Sequence, residues 1–140
     1  WVDGNITIKC DLNKFVGRLC HSDFHTVKHP DRDCIYDECM AVIRLKKDTK
    51  ENVNEVLEWL EHERFPHNFG LGETNLIYRK NTQNTNDICD EWGRQMLSRK
   101  THRDQLTFNY VVWKTNGKVE YLPKDIVRNG KLFSLRKKKK

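Results

Sequence analysis

The sequence predicts an α/β domain, and three observations predict it. Short apolar or alternating runs, such as Ile6 to Ile8 and Leu76 to Tyr78, have the character of strands. Longer stretches between them carry apolar residues at helical spacing, most clearly from Asp48 to Arg64. A chain of 140 residues is the usual size of one domain and buries enough surface to fold without covalent staples.

In chain order, WVDGNITIKC alternates through Ile6 and Ile8 and reads as a central strand from Trp1 to Ile8. At Asp3-Gly4, a carboxylate beside glycine makes either a turn or a metal-facing bend. Leu12, Phe15, Val16 and Leu19 predict a short amphipathic helix after Asp11. His21, His25, His29, Cys34 and Cys39 have the chemistry of zinc ligands. Pro30, however, prevents one helix from aligning the imidazoles, and the two cysteines are poorly spaced, so no zinc site is expected. The stretch from His29 reads instead as a loop entering a helix, with Asp31 and Asp33 near its start and Ile35, Met40, Val42 and Ile43 among its apolar residues.

Val53, Val56, Leu57 and Leu60 form the packing face of the Asp48 to Arg64 helix. Pro66, Gly70 and Gly72 then mark a loop before the Leu76 to Tyr78 strand. Glu73 stands at that junction, either as a rigidly held, accessible carboxylate or as the partner of Arg79 or an N-terminal amide. A polar loop leads to a helix from about Asp87, with Ile88, Trp92 and Met96 as its core stripe. In THRDQLTFNYVVWK, Leu106, Tyr110 and Trp113 predict a buried helix whose first turn carries Arg103, Asp104 and Gln105. Asp104 either caps that helix or belongs to a ligand-facing trio. Turns at Asn116-Gly117 and Asn129-Gly130 flank a short strand from Val119 to Leu122.

The domain is expected to span residues 1–134, with a basic tail at 135–140. Net charge is +6, but Arg136 to Lys140 supply most of it, so the body is close to neutral and the balance does not point to nucleic acid. Five cysteines without framework spacing suggest free thiols in a reducing, cytoplasmic compartment. No apolar run is long enough to cross a bilayer, so a soluble protein is expected. The chain starts on Trp1 in strand-like sequence, which reads as a piece of something longer.

Asp3, His29, Arg32, Glu73, Arg103, Asp104 and Gln105 resist a packing explanation, and they come from separated parts of the chain. No Ser/His/Asp or Cys/His order supports a triad hydrolase, and no GxxxxGK[ST] loop is present. Carboxylates and cations at element ends suit transfer from a diphosphate, in which a hard divalent ion and cationic side chains neutralise the leaving group.

The ordered blocks WVDGNI, HPDRDCIYDE, FPHNFGLGETNLIYRK and HRDQLTFNYVVWK resemble the glycosyltransferase-like domain of plant mucilage and turgor-regulation proteins and of bacterial and viral sugar-transfer proteins. The resemblance implies a GT-A-like α/β sandwich with a mixed sheet and flanking helices. Because the chain begins at the aspartate motif, it would be the C-terminal, acceptor-side part, lacking the N-terminal nucleotide-binding half. The implied partners are a nucleotide-sugar donor and a glycan or other hydroxyl acceptor, and the implied cofactor is Mn²⁺ or Mg²⁺. Asp3 takes the metal-facing place, while Asp104, Gln105 and Asn109 match the sugar- or acceptor-side block. Beside that resemblance, the residues suggest Asp104 and Glu73 as the catalytic carboxylates, with His29, Arg32 and Arg103 binding substrate. The alternative is a non-catalytic carbohydrate- or polyanion-binding module.

Overall fold

A computed structural model of the chain describes residues 1–136, so the expected basic tail lies outside the described residues from Lys137 onward. The described chain is a mixed α/β structure in the order β1 (Ile6–Ile8), α1 (Leu12–Leu19), β2 (Phe24–Lys28), α2 (Ile35–Arg44), α3 (Lys50–His62), β3 (Gly72–Arg79), α4 (Gln83–Ser98), α5 (Gln105–Lys114), β4 (Glu120–Leu122) and β5 (Phe133–Leu135). β2 is the middle strand of a mixed sheet of order β3-β2-β4, antiparallel to β3 and parallel to β4. β1 and β5 form a separate antiparallel pair.

Strand alternation divides the interior into two cores. Phe24 and Ile77 point toward α2, α3 and α5, where Val42, Val56, Leu60, Phe108 and Val111 pack. Val27 and Leu76 lie in the second core with Phe15 of α1, Leu122 of β4 and Phe133 of β5. Burial on both faces explains why β2 does not alternate: Phe24 to Val27 are all buried, His25 and Thr26 included. Its histidine draws the eye to metal chemistry, but its place is inside the sheet.

The N-terminal segment departs from the expected central strand. Val2 makes only an isolated bridge to Leu76, and the Ile6 amide donates back to the Asp3 carbonyl at 2.9 Å. That turn at Asp3-Gly4 shortens the strand to Ile6–Ile8 and moves it to the β5 partner. α4 begins earlier than its apolar stripe suggests, because the Thr82 hydroxyl accepts the Thr85 amide and nucleates a polar first turn. β5 was not foreseen; Leu135 pairs with Ile6, and the Arg136 amide donates to the Asn5 carbonyl.

α5 positions the site. Every residue from Gln105 to Val112 is buried, so this helix runs through the interior instead of lying on it. Two of its buried residues are amides one turn apart. Gln105 Nε2 donates to the Gly72 carbonyl at 3.1 Å, and Asn109 Oδ1 accepts the Gly72 amide at 2.9 Å. A Cβ on Gly72 would lie 2.8 Å from Thr26 Cγ2 and 3.3 Å from the Phe108 ring, so α5 and β2 approach as closely as only glycine allows. Asn109→Ala should therefore cost about 1–3 kcal/mol, because it leaves the buried Gly72 amide without an acceptor. Urea unfolding of the variant checks this, and an unchanged midpoint would contradict it.

Candidate functional site

Fixing Gly72 against α5 brings residues after Gly72 beside those that open the helix. Across this crossing lies a cavity of about 620 Å³, lined by Asp3, His29, Glu38, Glu73, Arg103 and Gln105, among others. A second recess of about 180 Å³ shares Asp3 and is lined by Thr74, Trp1, Trp92 and Asp104.

Glu73 and Thr74 sit where β3 loses its register. β2 passes from Thr26 to Lys28 while β3 runs back from Ile77 to Gly72, so residues 73–76 bulge. Thr74 holds a φ of 59°, a left-handed conformation that a β-branched residue adopts only when its surroundings enforce it. Its buried hydroxyl lies 2.7 Å from the Glu73 carbonyl and 3.3 Å from Asp104 Oδ1, two acceptors for its single proton.

Glu73 is fully engaged. Arg128 donates to both of its oxygens, at 2.5 and 2.9 Å, and Asn75 Nδ2 adds a bond to Oε2 at 2.9 Å. Its partner is thus neither Arg79 nor an N-terminal amide. Asp104 is much freer. It precedes α5 but makes no side-chain cap bond, because its own backbone is already helical at φ −56°, ψ −31°. Although the residue as a whole is exposed, burial at the recess raises its carboxyl pKa above the ordinary value; the Thr74 hydroxyl and the Gln105 amide oppose that rise, and Asp3 adds to it.

On the far wall, Glu38 is a buried carboxylate whose side chain is only 2% exposed. Arg32 Nε contacts its Oε2 at 2.5 Å, and its place in the first turn of α2 gives it the favourable end of the helix dipole. His29 accepts the amides of Asp31 and Arg32 on Nδ1, at 3.2 and 3.1 Å, which assigns its proton to Nε2, 3.6 Å from Glu38. Burial lowers the His29 pKa, outweighing the opposing pull of Glu38.

α2 ends in a Schellman turn: the Lys47 amide donates to Val42 and the Lys46 amide to Ile43. Lys46 occupies the left-handed position of that turn, at φ 52°, where glycine is usual; a side chain there costs roughly 1–2 kcal/mol. Both lysines line the larger cavity.

Of the residues singled out from sequence, Asp3, His29, Glu73, Arg103 and Gln105 share the larger cavity. Arg32 stands behind it on Glu38, Asp104 opens the adjoining recess, and Asn109 is spent inside the protein on Gly72 and on Tyr121, whose hydroxyl accepts its Nδ2 at 2.6 Å. Glu38, Lys46, Lys47, Asn75 and Arg128 were missed. Glu38 was legible, since it shares a helical face with Ile35, Cys39 and Val42, and a carboxylate on an apolar stripe must be paired or functional.

The donor set does not make a resident-metal cage. Asp3 Oδ1 accepts Trp1 Nε1 at 3.1 Å, while Glu38 and Glu73 are already neutralised by Arg32 and Arg128. Among the described residues, no three His, Cys, Asp or Glu side chains gather as metal ligands. All five cysteines are unpaired thiols, and burial raises the Cys39 thiol to about 12.

His25, which accepts the Ser22 amide on Nε2, also has its pKa lowered, first by burial. Both buried histidines bind protons more weakly folded than unfolded, so stability is complete above the unfolded value near 6.5 and is lost as pH falls below it. The thermal midpoint should fall between about pH 7 and about pH 5, and should fall less steeply in His29→Gln. Equal slopes in the two proteins would contradict a buried neutral His29.

The family model described as TOD1/MUCI70, glycosyltransferase-like domain, matches residues 1–131. No curated protein and no solved structure matches the chain.

Proposed function

The chain belongs to the TOD1/MUCI70 glycosyltransferase-like domain family, and from that premise we propose that its two adjoining recesses take the donor and the acceptor of a sugar transfer. The observation that carries this reading is the shared wall at Asp3. On one side lies a large polar cavity with cations at its rim, suited to a nucleotide-diphosphate-sugar. On the other is a smaller recess where Trp1 and Trp92 offer apolar ring surface beside a carboxylate, as a sugar hydroxyl acceptor requires.

Asp104 is the better candidate for the base. Its carboxyl is partly desolvated, burial raises its pKa above the ordinary carboxylate value, and only the Thr74 hydroxyl and the Gln105 amide engage it. Glu73, with both oxygens held by Arg128, is better suited to fixing the β3 bulge and the cavity wall. In the proposed reaction Asp104 takes the proton of the acceptor hydroxyl. The acceptor oxygen forms a bond to the anomeric carbon as the bond from that carbon to the diphosphate oxygen breaks, and the diphosphate departs with the electron pair. The buried, unpartnered Asn75 Oδ1 is available to hydroxyls of the donor, and Gln105, whose Nε2 is spent on Gly72, can offer its oxygen beside it.

A non-catalytic carbohydrate or polyanion binder is the second reading, favoured by the complete engagement of Glu73, which leaves one free carboxylate where two were expected. Turnover separates the two. With a panel of nucleotide-sugars and hydroxyl acceptors, Asp104→Asn should lower transfer by about 10²-fold or more at unchanged thermal midpoint. Transfer equal to that of the unaltered protein would remove Asp104 from the reaction, and binding without any transfer would favour the second reading.

A further inference from the structure

Three cations meet at the rim of the larger cavity with no carboxylate in ion-pair contact with them. Among the described residues, Lys46, Lys47 and Arg103 form no ion pair. They come from different segments that one hydrogen-bonded link holds together: Thr101 Oγ1 donates to Asp48 Oδ2 at 2.6 Å and accepts the Arg103 amide at 3.1 Å. Asp48 follows directly on the two lysines, so the Schellman turn of α2 and the loop before α5 are fastened side by side. Burial raises the Asp48 pKa, but hydrogen bonds from Thr101, Asn52 and Thr49 outweigh it and keep that carboxyl below the ordinary value, so the fastening is an ionised one at neutral pH.

Arg103 Nε is buried and has no hydrogen-bond partner, although its side chain lines the cavity. A buried charged donor left unmade is unfavourable unless a ligand completes it. Lys46 adds a second sign, for it keeps a side chain at a left-handed position where glycine would sit without strain. The anions that share the cavity do not cancel this charge. Glu38 and Glu73 are bound to Arg32 and Arg128, which leaves Asp3 in the cavity and Asp104 in the adjoining recess, where it feels the charge of Arg103, against three cations.

We propose that Lys46, Lys47 and Arg103 form a clamp for a diphosphate group that works without a divalent metal, supplying with fixed side chains the positive charge that a metal ion would otherwise bring. The clamp rests on the reading of the cavity as a donor site and goes beyond it in naming which atoms hold the charge. Arg103 offers forked donors to a pair of phosphate oxygens, and the lysines act as point charges. Because the lysines are exposed, their share of the binding is screened by salt.

Calorimetric titration of the chain with inorganic pyrophosphate in excess EDTA, repeated with Mg²⁺ and with Mn²⁺, tests this. Binding should occur in EDTA and should weaken by about tenfold or more in Lys46→Gly and in Arg103→Gln. Lys46→Gly relieves a left-handed residue, so its loss of binding cannot come from unfolding, and an unfolding midpoint measured alongside confirms that for both variants. Binding that appears only with metal, binding equal to the unaltered chain in both variants, or no binding under any condition would overturn the clamp. Metal-dependent sugar transfer insensitive to Lys46→Gly would remove the clamp and leave the transferase reading standing. Pyrophosphate held in EDTA by a chain that transfers no sugar would do the reverse.

Discussion

Gln105 and Asn109, one turn apart on α5, close on the two peptide groups of Gly72, and the arrangement of the site depends on that clamp. β3 would otherwise be free to slide along β2, since a strand register is only as fixed as the contacts that oppose slippage. Held at Gly72, β3 must absorb its mismatch with β2 in the bulge that follows, and the strained Thr74 is the outcome. That residue carries its hydroxyl to Asp104 on one side, while Glu73 before it reaches Arg128 on the other. Residues distant in sequence thus become neighbours through two amide side chains and the absence of a Cβ on Gly72.

Charge then divides the residues around the cavity into two kinds. Glu38 with Arg32, and Glu73 with Arg128, are closed pairs whose members satisfy each other. Breaking a buried pair by removing one partner typically costs about 3–5 kcal/mol, which applies to Glu38, whose side chain is 2% exposed. The Glu73 pair is open to solvent at Arg128 and is worth less, but both form the polar wall of the cavity. Asp104, Arg103 and the lysines at the end of α2 are held by backbone geometry and neighbouring hydroxyls, and their charges are left for something else. No helix among the described residues is long and apolar enough to cross a membrane.

Much of this was legible in the sequence where local physics decides. α1, α3 and α5 follow their apolar spacing, and Asp11 and Thr49 cap α1 and α3 as their residue types suggest. β2 was lost because a strand buried on both faces has no alternation, and His25 within it mimics a metal ligand. Polar residues at element ends did converge: Asp3, His29, Glu73, Arg103 and Gln105 surround one cavity. What stayed hidden were partners fixed by the tertiary fold. Arg128 lies in a loop near the end of the chain, and nothing local ties it to Glu73; Asn109 matched a ligand-side motif but is consumed by Gly72 and Tyr121.

In the proposed sugar transfer, the crossing at Gly72 holds the two adjoining recesses as one site. A crystal structure of the chain grown with a nucleotide-sugar tests it most directly. The diphosphate should lie in the larger cavity within hydrogen-bond reach of Arg103, with the sugar directed past Asp3 toward Asp104. A nucleotide-sugar bound on another face, or one whose sugar points away from Asp104, would contradict it.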